Sequence, residues 1–316
     1  MAMDIVLDLV RILIFPGLLF AVLLSLFLEW LDRKVYARMQ NRVGPPLRQP
    51  LWDLFKLLAK EDIVPEKADP FMFTVLPVMT LAASATAMLY IPVWAPESAY
   101  PFWGDLLVII FLLTVPTMVL FLAGWFSANP FGAVGSFRTV TQFLSYEVPL
   151  LLSVLTPAVL AGSWSIRDII LFQQEHPWAM AVQLVALGVG LLALQGKLER
   201  VPFDAPEAET EIVAGPITEY TGRRLALFRL STDVQMLVGA ALFSNIFLAG
   251  VTGPWYLAIL LFLVKIIFLV GVLAALRAMM ARIRIEQMRS FSWKFLVPIA
   301  VAQMAVIVLI KVGVGV

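Results

Sequence analysis

The chain contains no cysteine in 316 residues. Disulfides, thiolate zinc sites and cysteine-ligated iron–sulfur clusters are therefore excluded within it. A single histidine, His176, also excludes bis-histidine haem ligation. Any electron carriers linked to this protein must sit on partner chains. Charge is scarce as well: Asp, Glu, Lys and Arg make up 14% of the residues, against about 25% in soluble domains. The net charge of +1 argues against nucleic acid as a partner. No Walker motif, GxGxxG, nucleophile elbow or HExxH occurs, which removes the usual stand-alone enzyme classes. No period marks a repeat array, and no low-complexity segment interrupts the chain.

What is abundant is apolar: 61% of the residues. They fall in runs long enough to cross a bilayer, which takes about 20 residues at about 1.5 Å each. The pattern predicts an all-α, polytopic transmembrane helix bundle of about eight spans, since the runs lack the two-residue alternation of a membrane barrel. The expected spans are Leu9–Leu28, Phe71–Val93, Leu106–Phe126, Tyr146–Ala161, Trp178–Gln195, Leu225–Ala249, Trp255–Met279 and Phe295–Ile310. Pro116 is expected to kink the third. Residues 1–316 read as one integral membrane domain. The first apolar run lacks a basic n-region and reads as a retained span, not a cleaved signal.

Basic residues set the expected orientation. Arg33, Lys34, Arg38, Arg42, Arg48, Lys56, Lys60 and Lys67 fall in the first loop, and Arg138 in the third. Lys197, Arg200, Arg223 and Arg224 fall in the fifth, and Arg282, Arg284 and Arg289 in the seventh. The even loops hold only Arg167. Odd loops should then be cytoplasmic and both termini outside, in the cell membrane. After the first span, Leu51, Leu54, Phe55, Leu57 and Leu58 recur near helical spacing, with Asp53, Lys56 and Lys60 mostly opposite. This cytoplasmic amphipathic helix would lie on the bilayer surface or pack on a partner subunit.

Chemistry concentrates in residues 199–222, ERVPFDAPEAETEIVAGPITEYTG. Asp204, Glu207, Glu209 and Glu211 crowd together, with Glu219 beyond. If the chain is helical after Pro206, Glu207 and Glu211 share a face at i,i+4. Carboxylates packed in a desolvated loop cannot all ionise cheaply, so a coupled proton store is expected; the alternative is a solvated acidic loop. Glu147, in FLSYEVPLL, stands at the start of a span, where an ionisable group marks function or pairs with Arg138 at the interface. Lys265 lies near the middle of the seventh span and needs a carboxylate partner, for which Asp233 is a candidate; the alternative is a purely structural ion pair.

Several blocks, in order, resemble the H (or chain 1) subunit family of respiratory complex I and its relatives, which include energy-converting membrane-bound hydrogenases and ferredoxin-linked complexes. They are EWLDRKVYARMQNRVGP (29–45), LRQPLWDLFKLLAKEDIVP (47–65), GWFSANPFGAVGSFRTVTQFLSYEVPL (124–150), PFDAPEAETEIVAGPITEYTG (202–222) and RIRIEQMRSFSWKFLVP (282–298). The resemblance implies a membrane protein that lacks a redox centre and anchors a peripheral arm. Hydrogenase-like and iron–sulfur partners would carry the clusters and a nickel–iron centre, with antiporter-like membrane subunits alongside. It implies that the acidic loop lies beneath that arm, and that Glu147, Asp204, Glu207, Glu209, Glu211 and Glu219 begin the path coupling redox events to ion pumping. Lys265 matches a basic position of the family, and Arg138 and Arg200 would be supporting charges. Two departures, Pro45-Pro46 running directly into Leu47 and Thr232-Asp233 where Glu-Tyr is usual, weigh against quinone and towards the hydrogenase-type branch, from which a sulfur-reducing branch is not separable. The other classes open to this sequence are a quinone-site subunit, an independent transporter and a passive anchor.

Overall fold

The computed structural model describes residues 2–314. Its elements are α1 (Ala2–Leu13), α2 (Leu18–Met39), α3 (Gln49–Ala59), α4 (Pro70–Leu89), α5 (Asp105–Phe126) and α6 (Pro130–Ala161). After these come α7 (Ile166–Glu175), α8 (Trp178–Val182), α9 (Leu184–Lys197), the single turn α10 (Glu209–Ile212) and a 3₁₀ turn at Gly215–Ile217. The chain ends with α11 (Gly222–Phe247), α12 (Trp255–Met279), α13 (Ile285–Phe291), a π-turn at Ser292–Leu296 and α14 (Val297–Val314). No strand occurs among the described residues.

Among the described residues, seven helical stretches are long and apolar enough to cross a membrane, and they coincide with seven of the expected spans. The fifth expected span is divided at Gln183 into α8 and α9. The fourteen residues of α9 rise only about 21 Å, short of the roughly 30 Å of a bilayer core. The first span is also interrupted, between α1 and α2, at Pro16, which has no N–H to continue a helix. By contrast, α5 runs on through Pro116.

Local sequence explains the starts. The Asp69 carboxylate accepts from the amides of Phe71 and Met72, and Pro70 takes the first helical position of α4. Asn129 and Pro130 start α6 in the same way. That start lies sixteen residues before the expected one, so Arg138, Gln142 and Glu147 all ride on one helix of 32 residues.

The centre of the bundle is α11, whose residues from Val234 to Phe247 are all buried. A helix apolar on every side needs neighbours on every side, and α11 packs against α2, α3, α4 and α12. Large side chains such as Leu23, Phe111, Phe268 and Leu309 remain exposed on the outer helices, as lipid-facing surface requires. The inner face of α3 differs from the sequence expectation. Leu54 and Leu57 turn inward together with Asp53, while Trp52, Phe55 and Leu58 face out. Asp53 is drawn in by Arg33, 2.8 Å away.

Candidate functional site

In its second half, α2 carries Glu29, Asp32 and Arg33 at spacings of three and four, one face of a helix. Glu29 accepts from Arg33 at 2.6 Å and from Arg200 at 2.6 Å. Asp32, fully buried, lies 2.9 Å from Arg200 and 2.8 Å from Arg277. Burial opposes the charge on Arg200, but Asp32 and Glu29 outweigh it and hold its pKa above the ordinary arginine value. The expected supporting charge is therefore the hub joining α2 to the loop after α9.

This cluster forms one wall of a cavity of about 640 Å³. Six carboxylates line it: Glu29, Asp53, Glu199, Asp204, Glu207 and Asp233. Six cations match them: Arg33, Lys197, Arg200, Arg229, Arg277 and Arg282. Ligand cavities are mostly apolar with a few polar groups. This one combines apolar wall with many ionisable side chains of both signs.

The loop carboxylates do not form the coupled cluster that their spacing suggested. Asp204 lies 2.9 Å from Arg282, Glu207 lies 3.1 Å from Arg229, and Glu211 takes a hydrogen bond from Arg138. That bond and the Arg138 charge hold the Glu211 carboxyl below its ordinary range. Glu207 and Glu211 do not share a helical face, because the helix after Pro206 shrinks to the turn at Glu209–Ile212. Arginines on α6, on α11 and after α12 draw the carboxylates apart. Glu219 accepts from Asn129 and ties the loop to the start of α6. The side chain of Glu209 lies outside the described residues.

On the cavity side of this loop, Glu199 is a carboxyl with a raised pKa. Its φ of 51° places it in the left-handed region just after α9, where it lines the cavity. Burial pushes its pKa well above the ordinary 4.5, the Glu207 carboxylate pushes the same way, and Arg229 opposes both. The folded state thus keeps a proton that the unfolded chain releases, so stability falls as pH rises from about 4.5 through the folded value. Glu199→Gln imitates the neutral acid and is expected to flatten that fall. Thermal unfolding from about pH 5 to about pH 8 checks it: a variant that loses stability more steeply than wild type contradicts the assignment.

Glu147 does not meet Arg138. It faces Lys197, the last residue of α9, at 3.2 Å, with side chains 9% and 1% exposed. The Lys197 ammonium also lies 5.3 Å from the centre of the Tyr146 ring, whose hydroxyl is 2.8 Å from that of Thr117 on the cavity wall. Gln142 fixes α6 here, donating to the carbonyls of Gly196 at 2.8 Å and Phe203 at 2.7 Å. A second, small cavity of about 10 Å³ lies on the other side of the pair.

Lys265 and Asp233 are not partners. The Lys265 ammonium donates to the carbonyls of Leu248, at 2.6 Å, and Gly250, capping the end of α11 where its dipole favours a cation. Asp233 lies fifteen residues before Leu248, about 22 Å along the helix, on the cavity wall. No group of three or more potential metal ligands occurs among the described residues.

The sequence reading missed Glu29, Asp32, Asp53, Glu199 and Arg277, and it used Arg33 and Lys197 only to set orientation. One signal was available: the run EWLDRK places four charges at the end of an apolar helix, where each is costly unless paired.

The sequence profile of the family described as NADH dehydrogenase matches residues 12–308. The H subunit of the NADH-quinone oxidoreductase of Thermomicrobium roseum is 34% identical over 93% of this chain and 94% of its own length. That of Bacillus thuringiensis subsp. konkukian is 37% identical over 89% and 87%. A chain in the structure of the membrane-bound sulfane sulfur reductase, an archaeal respiratory membrane complex, superposes with a TM-score of 0.82 at 27% identity, covering 92% of this chain and 96% of that one. The protein is thus a multi-pass membrane component of a respiratory complex. It belongs to the NADH dehydrogenase family, the H (or chain 1) subunits of complex I.

Proposed function

We propose that this chain is the non-redox anchor and ion-translocation coupling subunit of a ferredoxin-linked, hydrogenase-type relative of complex I. Its loop docks a peripheral arm bearing iron–sulfur clusters and a nickel–iron centre. Charge changes in that arm reach the loop pairs Asp204–Arg282, Glu207–Arg229 and Glu211–Arg138, then the cavity, then Glu147. Antiporter-like membrane subunits receive the coupling further along the bilayer, and odd-numbered loops face the cytoplasm.

The observation carrying this reading is the cavity itself, with six acidic and six basic side chains on its walls, closed on one side by the Lys197–Glu147 pair. Such a lining favours movement of charge. It weighs against a quinone, whose ring and tail call for predominantly apolar walls. Asp233, at one of the two positions that the resemblance sets apart from the quinone-type pattern, lines that wall. A sulfur-reducing assembly is the second reading, favoured by the likeness to the sulfane sulfur reductase chain.

Purification of the native complex separates these readings. Nickel and iron–sulfur proteins without quinone are expected. Iron–sulfur proteins without nickel support the sulfur-reducing form, and stoichiometric quinone overturns both. The coupling role is tested by Glu147→Gln in the reconstituted complex, where ion translocation is expected to fall about 100-fold, the scale of a lost proton-transfer group. Translocation at the wild-type rate would remove Glu147 from the path.

A further inference from the structure

Lys197 occupies a position that neither the loop carboxylates nor Glu147 explains. Among the described residues it alone lines both the large charged cavity and the small cavity beyond. The small cavity has no polar side chain other than those of Lys197 and Glu147; the remainder are leucines, Ile110, Val154, Phe243 and a glycine. Its volume of about 10 Å³ is at the lower limit for one water, which needs about 10–15 Å³, so no chain of waters can run around the pair through it. At this point Lys197 stands between the charged cavity and Glu147, with its amino group 3.2 Å from the carboxylate.

We propose that Lys197 is the proton-transferring link between the cavity and Glu147, and that its amino group gains and loses a proton on each passage. This inference rests on the coupling role proposed above. The ammonium gives one proton across 3.2 Å to Glu147 Oε2, leaving a neutral amine and a neutral carboxylic acid. The amine lone pair then takes one proton from a donor on the cavity side, where Glu199 stands as an acid on the wall. The lysine is again an ammonium, and Glu147 holds the transferred proton. No charge is separated at the first step, which suits a buried site, where an uncompensated charge is expensive. The Tyr146 ring beneath the ammonium holds the charged form when it returns, and the ion pair with Glu147 forms again once that proton has moved on.

Arginine makes the test, because it can keep the charge and the pairing but cannot give up its proton, its pKa lying above about 12. Lys197→Arg, Lys197→Met and Glu147→Gln are made in the full complex and reconstituted in proteoliposomes. Translocation in Lys197→Arg is expected to fall about 100-fold, as in Lys197→Met. Wild-type translocation by Lys197→Arg would show that the lysine is only a counter-ion and would overturn the proposal. If Glu147→Gln itself translocates normally, the coupling reading fails; if Glu147→Gln is blocked while Lys197→Arg runs freely, only the Lys197 inference fails.

Should Lys197→Arg not assemble, infrared difference spectra of the wild-type complex on reduction decide the matter. A protonated-carboxyl band that Glu147→Gln lacks is expected to rise as an ammonium band, shifted by ¹⁵N-lysine, declines. Absence of either band overturns the proposal.

Discussion

Arg200→Met is expected to cost about 3–5 kcal/mol of folding stability, the range for breaking a buried ion pair by removing one partner. The reason is the company Arg200 keeps. Glu29 is 7% exposed and Asp32 is fully buried, and both rest on this one guanidinium from a loop more than 160 residues away. Without it, Glu29 retains Arg33, on its own helix, and Asp32 retains Arg277. Two buried carboxylates then share less positive charge than they need, and the contact joining α2 to the loop after α9 is lost.

The double variant Asp32→Asn with Arg200→Met restores the balance of charge. It is therefore expected to recover a large part of the loss, and the double-mutant cycle should show strong coupling between the two positions. Thermal unfolding of the purified complex, with the yield of assembled subunits, measures both. An Arg200→Met complex as stable as wild type would mean that water, and not arginine, satisfies these carboxylates.

The same cluster shows where sequence reading stopped. The spans were legible because lipid imposes length and composition on each one separately. The divided fifth span was less so, since nothing in its composition marks Gln183 as a break. The acidic loop was legible because its charges are neighbours in the chain, yet their pairing was not. Their partners, Arg138, Arg229 and Arg282, lie on other elements, and helical spacing describes only one face of one helix. Lys197 looked like a topological charge because the residues around it are apolar and Glu147 is fifty positions away. Lys265 looked as though it needed a carboxylate because its partners are backbone carbonyls, which no residue letter records. Glu199 was hidden by the more crowded carboxylates that follow it.

Gly215→Ala is expected to disrupt the loop more severely than any exposed charge substitution. Gly215 has a φ of +54°, and a Cβ placed there would stand 1.9 Å from the carbonyl oxygen of Pro206. The left-handed backbone costs an alanine about 1–2 kcal/mol, and the overlap is with backbone, which no side-chain rotation relieves. Nor can the turn simply slide away. It is wedged against α6, where a Cβ on Gly135 would already meet the Gly215 Cα at 2.7 Å. The segment between Pro206 and Gly215 must therefore shift as a unit, carrying Glu207 and Glu211 away from Arg229 and Arg138.

Hydrogen exchange is expected to rise across residues 202–222, and ion translocation to fall with it, while the spans keep their protection. Gly188→Ala is the control. It lies in α9 with open space around its added methyl, and a mid-helix alanine is favoured over glycine by up to about 1 kcal/mol. Unchanged exchange in the loop of Gly215→Ala would mean that the loop carboxylates are not held by this turn, and that their arginine partners alone keep them at the cavity wall.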